Sequence, residues 1–217
     1  MWQRAGRLLI LLLARIISFL LTRRRVNGIE NIPKEGPLLI VVNHLTSYDQ
    51  YLLITYINRK VIFMAKKELF HSPLIRELAQ ALGAFPVDRG GTDRKALTQA
   101  HRVLNHNLAL VMFPEGTRSR NAKLQRALPG SALIALHNNV PILPIGMAGL
   151  EVANRGIWWC ALHRPRVTVN IGRPFYLPPV ADKLTKARLS ELADYIMEHI
   201  AELLPSEYQG HYARRED

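Results

Sequence analysis

The chain has 217 residues, 48% of them hydrophobic and 21% charged, with a net charge of +12. These values suit one globular domain with a full core, and the positive excess favours anionic partners: phospholipid headgroups, phosphorylated substrates or nucleic acid. The single cysteine, Cys160, excludes an intrachain disulfide and a cysteine-built metal site, and the eight histidines show no metal-ligand spacing.

The N-terminus is lopsided. Arg4 and Arg7 precede an apolar block from Leu8 to Leu21 that is interrupted by Arg15, and Arg23-Arg24-Arg25 closes the segment. As a helix the block spans about 21 Å, short of the roughly 30 Å hydrocarbon core of a bilayer. Arg15 argues against a lipid-exposed span, because a central charge costs at least ~2.5 kcal/mol. No small-residue cleavage site follows. Residues 1–25 therefore read as a basic, apolar helix lying in or dipping into one leaflet, or else packed on the protein's own core.

From Val26 the chain turns globular. Gly28, Pro33, Gly36 and Pro37 mark turns before an aliphatic strand, Leu38 to Val42. Asp49 to Ile57 reads as a helix and Val61 to Ala65 as a strand. Pro73 opens a helix to about Leu82, Gly83 ends it, and Ala84 to Val87 is a short strand. Thr92 or Asp93 caps a helix to about Asn107, and Leu108 to Phe113 is another buried strand. Pro129 starts a helix through His137. Pro141 to Ile145 and Arg166 to Ile171 are strands, and Ala181 to Leu204 holds a long amphipathic helix. Residues 206–217 form a polar tail. Strands alternating with helices indicate an α/β domain over residues 26–205, with no linker dividing it.

Chemistry gathers at strand ends. The Leu38–Val42 strand hands Asn43 and His44 to a polar turn, with Asp49 five positions after the histidine. Histidine is suited to taking a proton near neutral pH, and an Asp on its far ring nitrogen fixes the tautomer. Five positions do not share a helix face, so the pair meets only if His44 sits in the turn and Asp49 in the first helical turn. Asn43, Thr46 and Ser47 are capping types that fit such a turn. The alternative makes His44 and Ser47 simple caps. Phe113-Pro114-Glu115-Gly116-Thr117-Arg118-Ser119 follows the next central strand. Gly116 permits close backbone approach, Arg118 offers a fork suited to phosphate, and Glu115 is placed to orient Arg118 or accept from a substrate hydroxyl. The alternative is a surface turn with a weak Glu115–Arg118 pair. Arg89, after Phe85-Pro86-Val87-Asp88, is either a second phosphate clamp or half of a solvated pair. Val140-Pro141-Ile142-Leu143-Pro144-Ile145 carries no reacting group and reads as the wall of an apolar site or as core.

Together these stretches carry a resemblance. Asn43-His44-x4-Asp49, Gly83-x-Phe85-x-Val87-Asp88-Arg89, Phe113 to Ser119 and Val140 to Ile145 occur in the order of the four blocks of the glycerolipid acyltransferase family, of the bacterial 1-acylglycerol-3-phosphate acyltransferase type. The match spans about residues 38–149. The resemblance implies an α/β fold with a mixed central sheet flanked by helices, in an enzyme on the cytoplasmic face of the inner membrane. It implies His44 as catalytic base with Asp49 as its partner. Glu115, Gly116, Thr117 and Arg118 are then expected to bind the acyl acceptor, with Arg89 also on its phosphate. The expected partners are membrane phospholipids, lysophosphatidate and an acyl-CoA or acyl carrier protein thioester, with no cofactor, no metal and no nucleic acid. One departure stands out. Many relatives have Phe-Lys-x-Gly after the third block, where this chain has Ala127-Leu128-Pro129-Gly130; Lys123 and Arg126 are the nearest basic groups. Another lysolipid, such as a lyso-ornithine lipid, is therefore a rival acceptor, and a basic membrane-binding scaffold is the non-enzymatic alternative.

Overall fold

A computed structural model describes residues 12–13, 15–17, 19–81, 83–88, 94–180 and 184–213. Its strands are β1 (Arg23–Asn27), β2 (Leu38–Val42), β3 (Val61–Lys66), β4 (Ala84–Val87), β5 (Ala109–Met112), β6 (Ile142–Ala148) and β7 (Arg166–Ile171). They form one sheet in the order β1-β7-β6-β2-β5-β3-β4. Every neighbouring pair is parallel except β6 and β7. The helices are α1 (Asp49–Tyr56), α2 (Pro73–Ala81), α3 (Arg94–Asn105), α4 (Gly130–Asn138), α5 (Ile157–His163), α6 (Lys186–Ala201) and α7 (Ser206–Gln209). The fold is the expected mixed sheet flanked by helices.

Strand β2 occupies the middle of the sheet because all five of its residues are aliphatic and can be buried on both faces. Side chains alternate along a strand, so Leu39 and Val41 join one core with α3, α4 and α6, while Leu38, Ile40 and Val42 join the other with α1 and α5. Each such fully buried side chain contributes about 1.5–3 kcal/mol. The parallel neighbours β6 and β5 lie on either side of β2, so β2 and β5 release their chains at the same sheet edge. That register brings the turns after Val42 and after Met112 together.

The edges of the sheet explain the segments that depart from the expected elements. Arg23-Arg24-Arg25, expected to close the N-terminal basic segment, instead opens strand β1, which pairs with β7. Its charged, alternately exposed side chains suit an edge strand and hide any apolar pattern. At the opposite edge, β4 tolerates Pro86 because an outer strand can forgo ladder bonds. The long helix expected within Ala181 to Leu204 is α6, and Thr185 caps it by accepting from the Arg188 N–H. Residues 181–183 lie outside the described part. The tail expected from Ser206 holds helical structure through Tyr212. The Tyr208 hydroxyl donates to Glu151 at 2.7 Å and the Tyr212 hydroxyl to Asp194 at 2.6 Å.

Residues 12–13, 15–17 and 19–21 are helical. Leu12, Leu13, Ile16, Ile17, Phe19 and Leu20 among them are exposed. Among the described residues no helix is long and apolar enough to cross a membrane.

Candidate active site

His44 leaves the end of β2 and Asp49 opens α1. The His44 ring Nδ1 lies 2.7 Å from Asp49 Oδ2, and both residues are buried. Asp49 is also the hub of the turn before its helix. It accepts from the Leu45 N–H at 2.7 Å, the Thr46 N–H at 3.0 Å and the Thr46 hydroxyl at 2.8 Å. This hub is why the chain reverses so tightly between residues 44 and 49. Because a carboxylate offers only acceptors, His44 presents its Nδ1–H to Asp49, and Nε2 is the nitrogen left for a substrate. The expected meeting of turn histidine and first-turn aspartate is therefore realised.

The capping roles are not. The residue preceding α1 is Tyr48, and it makes no side-chain cap bond. Thr46 instead accepts from the Tyr48 N–H and feeds Asp49. Asn43 bonds both backbone groups of Met147, at 2.8 and 2.7 Å, tying the end of β2 to β6. This places the Val140–Ile145 block as core that supports the turn, since β6 is buried along its whole length.

The turn after β5 divides into an inner and an outer half. Glu115 is 4% exposed. Its Oε1 accepts from the His44 backbone N–H at 2.9 Å and its Oε2 from the Gln125 N–H at 3.0 Å. Both oxygens are thus engaged by backbone donors, and Glu115 makes no ion pair with Arg118. Burial pushes its carboxyl up to about 7, against the opposing pull of those N–H groups. The Ser119 N–H donates to the His44 carbonyl at 2.8 Å. His44 is thereby held through its ring, its N–H and its C=O. Phe113 stacks on the imidazole, with ring centroids 4.0 Å apart and planes 17° apart. That support was not foreseen; the signal for it was an aromatic at the end of the strand neighbouring β2.

Gly116 has φ +70, and a Cβ there would come within 2.4 Å of Leu128 Cδ1. Its lack of a side chain thus serves a left-handed turn beneath Leu128. Thr117 and Arg118 are exposed, and Arg118 donates to the Ser47 hydroxyl at 2.8 Å. Arg89 lies outside the described residues.

A cavity of about 390 Å³ adjoins His44. Its polar lining includes His44, Ser47, Gln50, Lys66 and Arg118, and its apolar lining includes Tyr51, Ile54, Phe63, Met64, Ile75 and Phe113. Lys66, at the end of β3, is a basic group that sequence reasoning missed, while Lys123 and Arg126 do not line this cavity. Lys66 lies 3.4 Å from Glu68, and both side chains are about half exposed. Such a surface pair contributes only ~0–1 kcal/mol, so it does not tie up the ammonium. Among the described residues no His, Cys, Asp and Glu cluster could hold a metal ion.

A buried His–Asp pair thus stands beside two cations and a largely apolar cavity, at one end of the strands of a mixed α/β sheet. The chain belongs to the acyltransferase family, whose profile matches residues 23–148. Several relatives bear the name 1-acyl-sn-glycerol-3-phosphate acyltransferase. The protein of Limnanthes douglasii is 28% identical over 84% of this chain and 63% of its own length. That of Streptococcus pneumoniae is 30% identical over 83% and 62%, and that of Bacillus subtilis 26% identical over 82% and 87%. The chain thus spans just under two thirds of the plant and streptococcal relatives. Its fold is similar to the crystal structure of the 1-acyl-sn-glycerophosphate acyltransferase PlsC of Thermotoga maritima. The TM-score is 0.71 at 25% identity, covering 91% of this chain and 78% of that one.

Proposed function

We propose that the chain transfers a fatty acyl group from a thioester to the sn-2 hydroxyl of 1-acylglycerol-3-phosphate, giving phosphatidate. The observation that carries this reading is the buried 2.7 Å contact between His44 and Asp49 at the wall of a cavity that also presents Arg118. The names of the relatives support the choice of acceptor.

His44 Nε2 takes the proton of the acceptor hydroxyl as its oxygen attacks the thioester carbonyl. Asp49 steadies the imidazolium that forms. Collapse of the tetrahedral intermediate breaks the C–S bond, and His44 returns the proton to the departing thiolate. The substrate oxygen is the nucleophile, so no enzyme serine or cysteine is required. Arg118, with Lys66 beside the same cavity, holds the acceptor phosphate and so selects which hydroxyl faces His44. Thr117 and the Gly116 backbone flank that grip, and Arg89 is its further cation. Glu115 acts indirectly, by fixing the backbone of His44. The apolar lining takes acyl chain. The donor is acyl-CoA or acyl carrier protein. The exposed apolar residues of the N-terminal helix lie in the cytoplasmic leaflet of the inner membrane, where lysolipid and product reside.

Purified protein given labelled acyl-CoA, or acyl carrier protein, with a panel of lysolipids tests this reading. Labelled phosphatidate is the expected product. Acylation of a lyso-ornithine lipid in preference to lysophosphatidate would move the assignment to the rival acceptor. That rival draws on the absence of a lysine in Ala127–Gly130. Absence of transfer to any acceptor would leave a membrane-binding scaffold.

A further inference from the structure

Helix α5 has apolar residues on both of its faces. Cys160 is buried and Trp159 half-buried against the core shared with β7 and α1. On the other side Trp158 is 87% and Leu162 82% exposed. These two are four positions apart and so share one helical face, with exposed Ala161 beside them. A helix with two apolar faces normally has something covering each. Within the described chain nothing covers this one.

Its surroundings indicate what does. Arg164, just past the C-terminal end of α5, donates to the Phe19 carbonyl at 3.2 Å. The C-terminal end of α5 therefore lies next to the N-terminal helix, itself rich in exposed apolar residues, where Phe19 is 62% and Leu20 59% exposed. Both elements carry arginines beside aromatic rings. The Arg24 guanidinium lies 5.3 Å from the Phe19 ring and 5.7 Å from the Tyr56 ring, and Arg155 lies 5.0 Å from Trp159. Apolar side chains that point outward and are fringed by arginines match an anionic lipid surface: hydrocarbon for the former, phosphates for the latter. Tryptophan favours that boundary, where its ring is buried and its N–H stays wet.

We propose that α5 is a second membrane-docking element. Trp158 and Leu162 enter an anionic bilayer beside the N-terminal helix, and Arg155 and Arg164 meet lipid phosphates. This rests on the reading that the N-terminal helix lies in that bilayer. It also gives the active site an orientation. Tyr56 ends α1, the helix that carries Asp49 and lines the cavity with Tyr51 and Ile54, and Arg24 joins Tyr56 to Phe19 of the N-terminal helix. Two contacts on the bilayer, rather than one, fix how that helix faces the lipid.

The test uses a full-length variant carrying Trp2→Phe and Trp159→Phe, in which Trp158 is the sole tryptophan. It is mixed with vesicles of phosphatidylglycerol and phosphatidylcholine, with and without brominated acyl chains. The expected results are a blue-shifted Trp158 emission and its quenching by bromine. In the otherwise wild-type chain, Trp158→Ser with Leu162→Ser should weaken vesicle affinity roughly ten- to a hundredfold. The same pair should leave turnover on a short-chain, monomeric lysophosphatidate unchanged, which also reports correct folding. Unquenched Trp158 in protein that still floats with vesicles overturns the second contact and leaves the first. Protein that does not float at all overturns the membrane reading as a whole. A wild-type dimer that the double substitution converts to a monomer, with Trp158 unquenched, assigns the face to a second copy and overturns the proposal.

Discussion

The two turns that meet at the sheet edge are built on opposite plans. In the turn from Asn43 to Asp49, the Asn43, Thr46 and Asp49 side chains are buried and bonded within the protein. In the turn from Phe113 to Ser119, Glu115 is buried while Thr117 and Arg118 are exposed. In the proposed mechanism the first turn fixes a base and the second grips a ligand. Fixing a base demands that its ring be over-determined, and His44 is held by Asp49, Glu115, Ser119 and Phe113. Gripping a ligand demands donors that remain unburied until it arrives. Glu115 belongs to the second turn in sequence and to the first in its work.

Substitutions that separate fixing from gripping sharpen this contrast. The largest effect is expected from His44→Ala, which removes the base: kcat should fall roughly 10²–10⁴-fold. Circular dichroism and vesicle binding should be unchanged, and retained turnover would break the base assignment. Asp49→Ala should lower kcat by a similar order and also destabilise the fold. Its loss orphans the Leu45 and Thr46 N–H groups, at about 1–3 kcal/mol for each buried donor. Urea unfolding beside the kinetics reads both parts, and a purely kinetic effect would mean that Asp49 does not hold the turn. Arg118→Ala should act on the grip alone. KM for the acceptor should rise on the order of ten- to a hundredfold with kcat nearly kept, and a drop in kcat instead would place Arg118 among the fixing groups.

The smallest effect separates the halves by pH. Glu115 is pushed up to about 7 from an ordinary value of 4.5. The folded state therefore binds the extra proton between those values. The associated stability is present below pH 4.5 and lost as pH rises through 7. Wild type minus Glu115→Gln should consequently lose melting temperature between pH 5 and pH 8, by an amount worth at most on the order of 3 kcal/mol. A difference that stays flat with pH would show that the backbone donors fully offset burial, and one that grows with pH that they outweigh it.

How much of this was legible follows from the kind of signal each residue leaves. β2 was readable because five consecutive aliphatic residues can only be buried, and the His44–Asp49 pair because a polar switch follows them at once. Arg118 was legible as a cation at the end of a strand because its turn follows a buried apolar run at once, and it lies exposed at the cavity. Glu115 misled because its role depends on a backbone N–H at residue 44, seventy-one positions away, and backbone donors leave no mark in a sequence. β1 was hidden by its arginines, and α5 by its brevity. Lys66 looked like one more surface lysine until β3 was laid beside β5 and its end reached the cavity.

The polypeptide around residues 124–127, whose Gln125 holds the outer oxygen of Glu115, leans in turn on a much later part of the chain. The Leu124 N–H donates to the Tyr208 carbonyl, the Leu124 carbonyl accepts from His211, and the Tyr212 hydroxyl accepts from the Ala127 N–H. A nascent chain that has left the ribosome only as far as α6 thus owns every motif residue yet lacks the outermost prop of the loop that bears Glu115. The support of the Glu115 loop is thus complete only when residues 208–212 are in place, so the far end of the chain closes a structure whose motifs were all laid down before it.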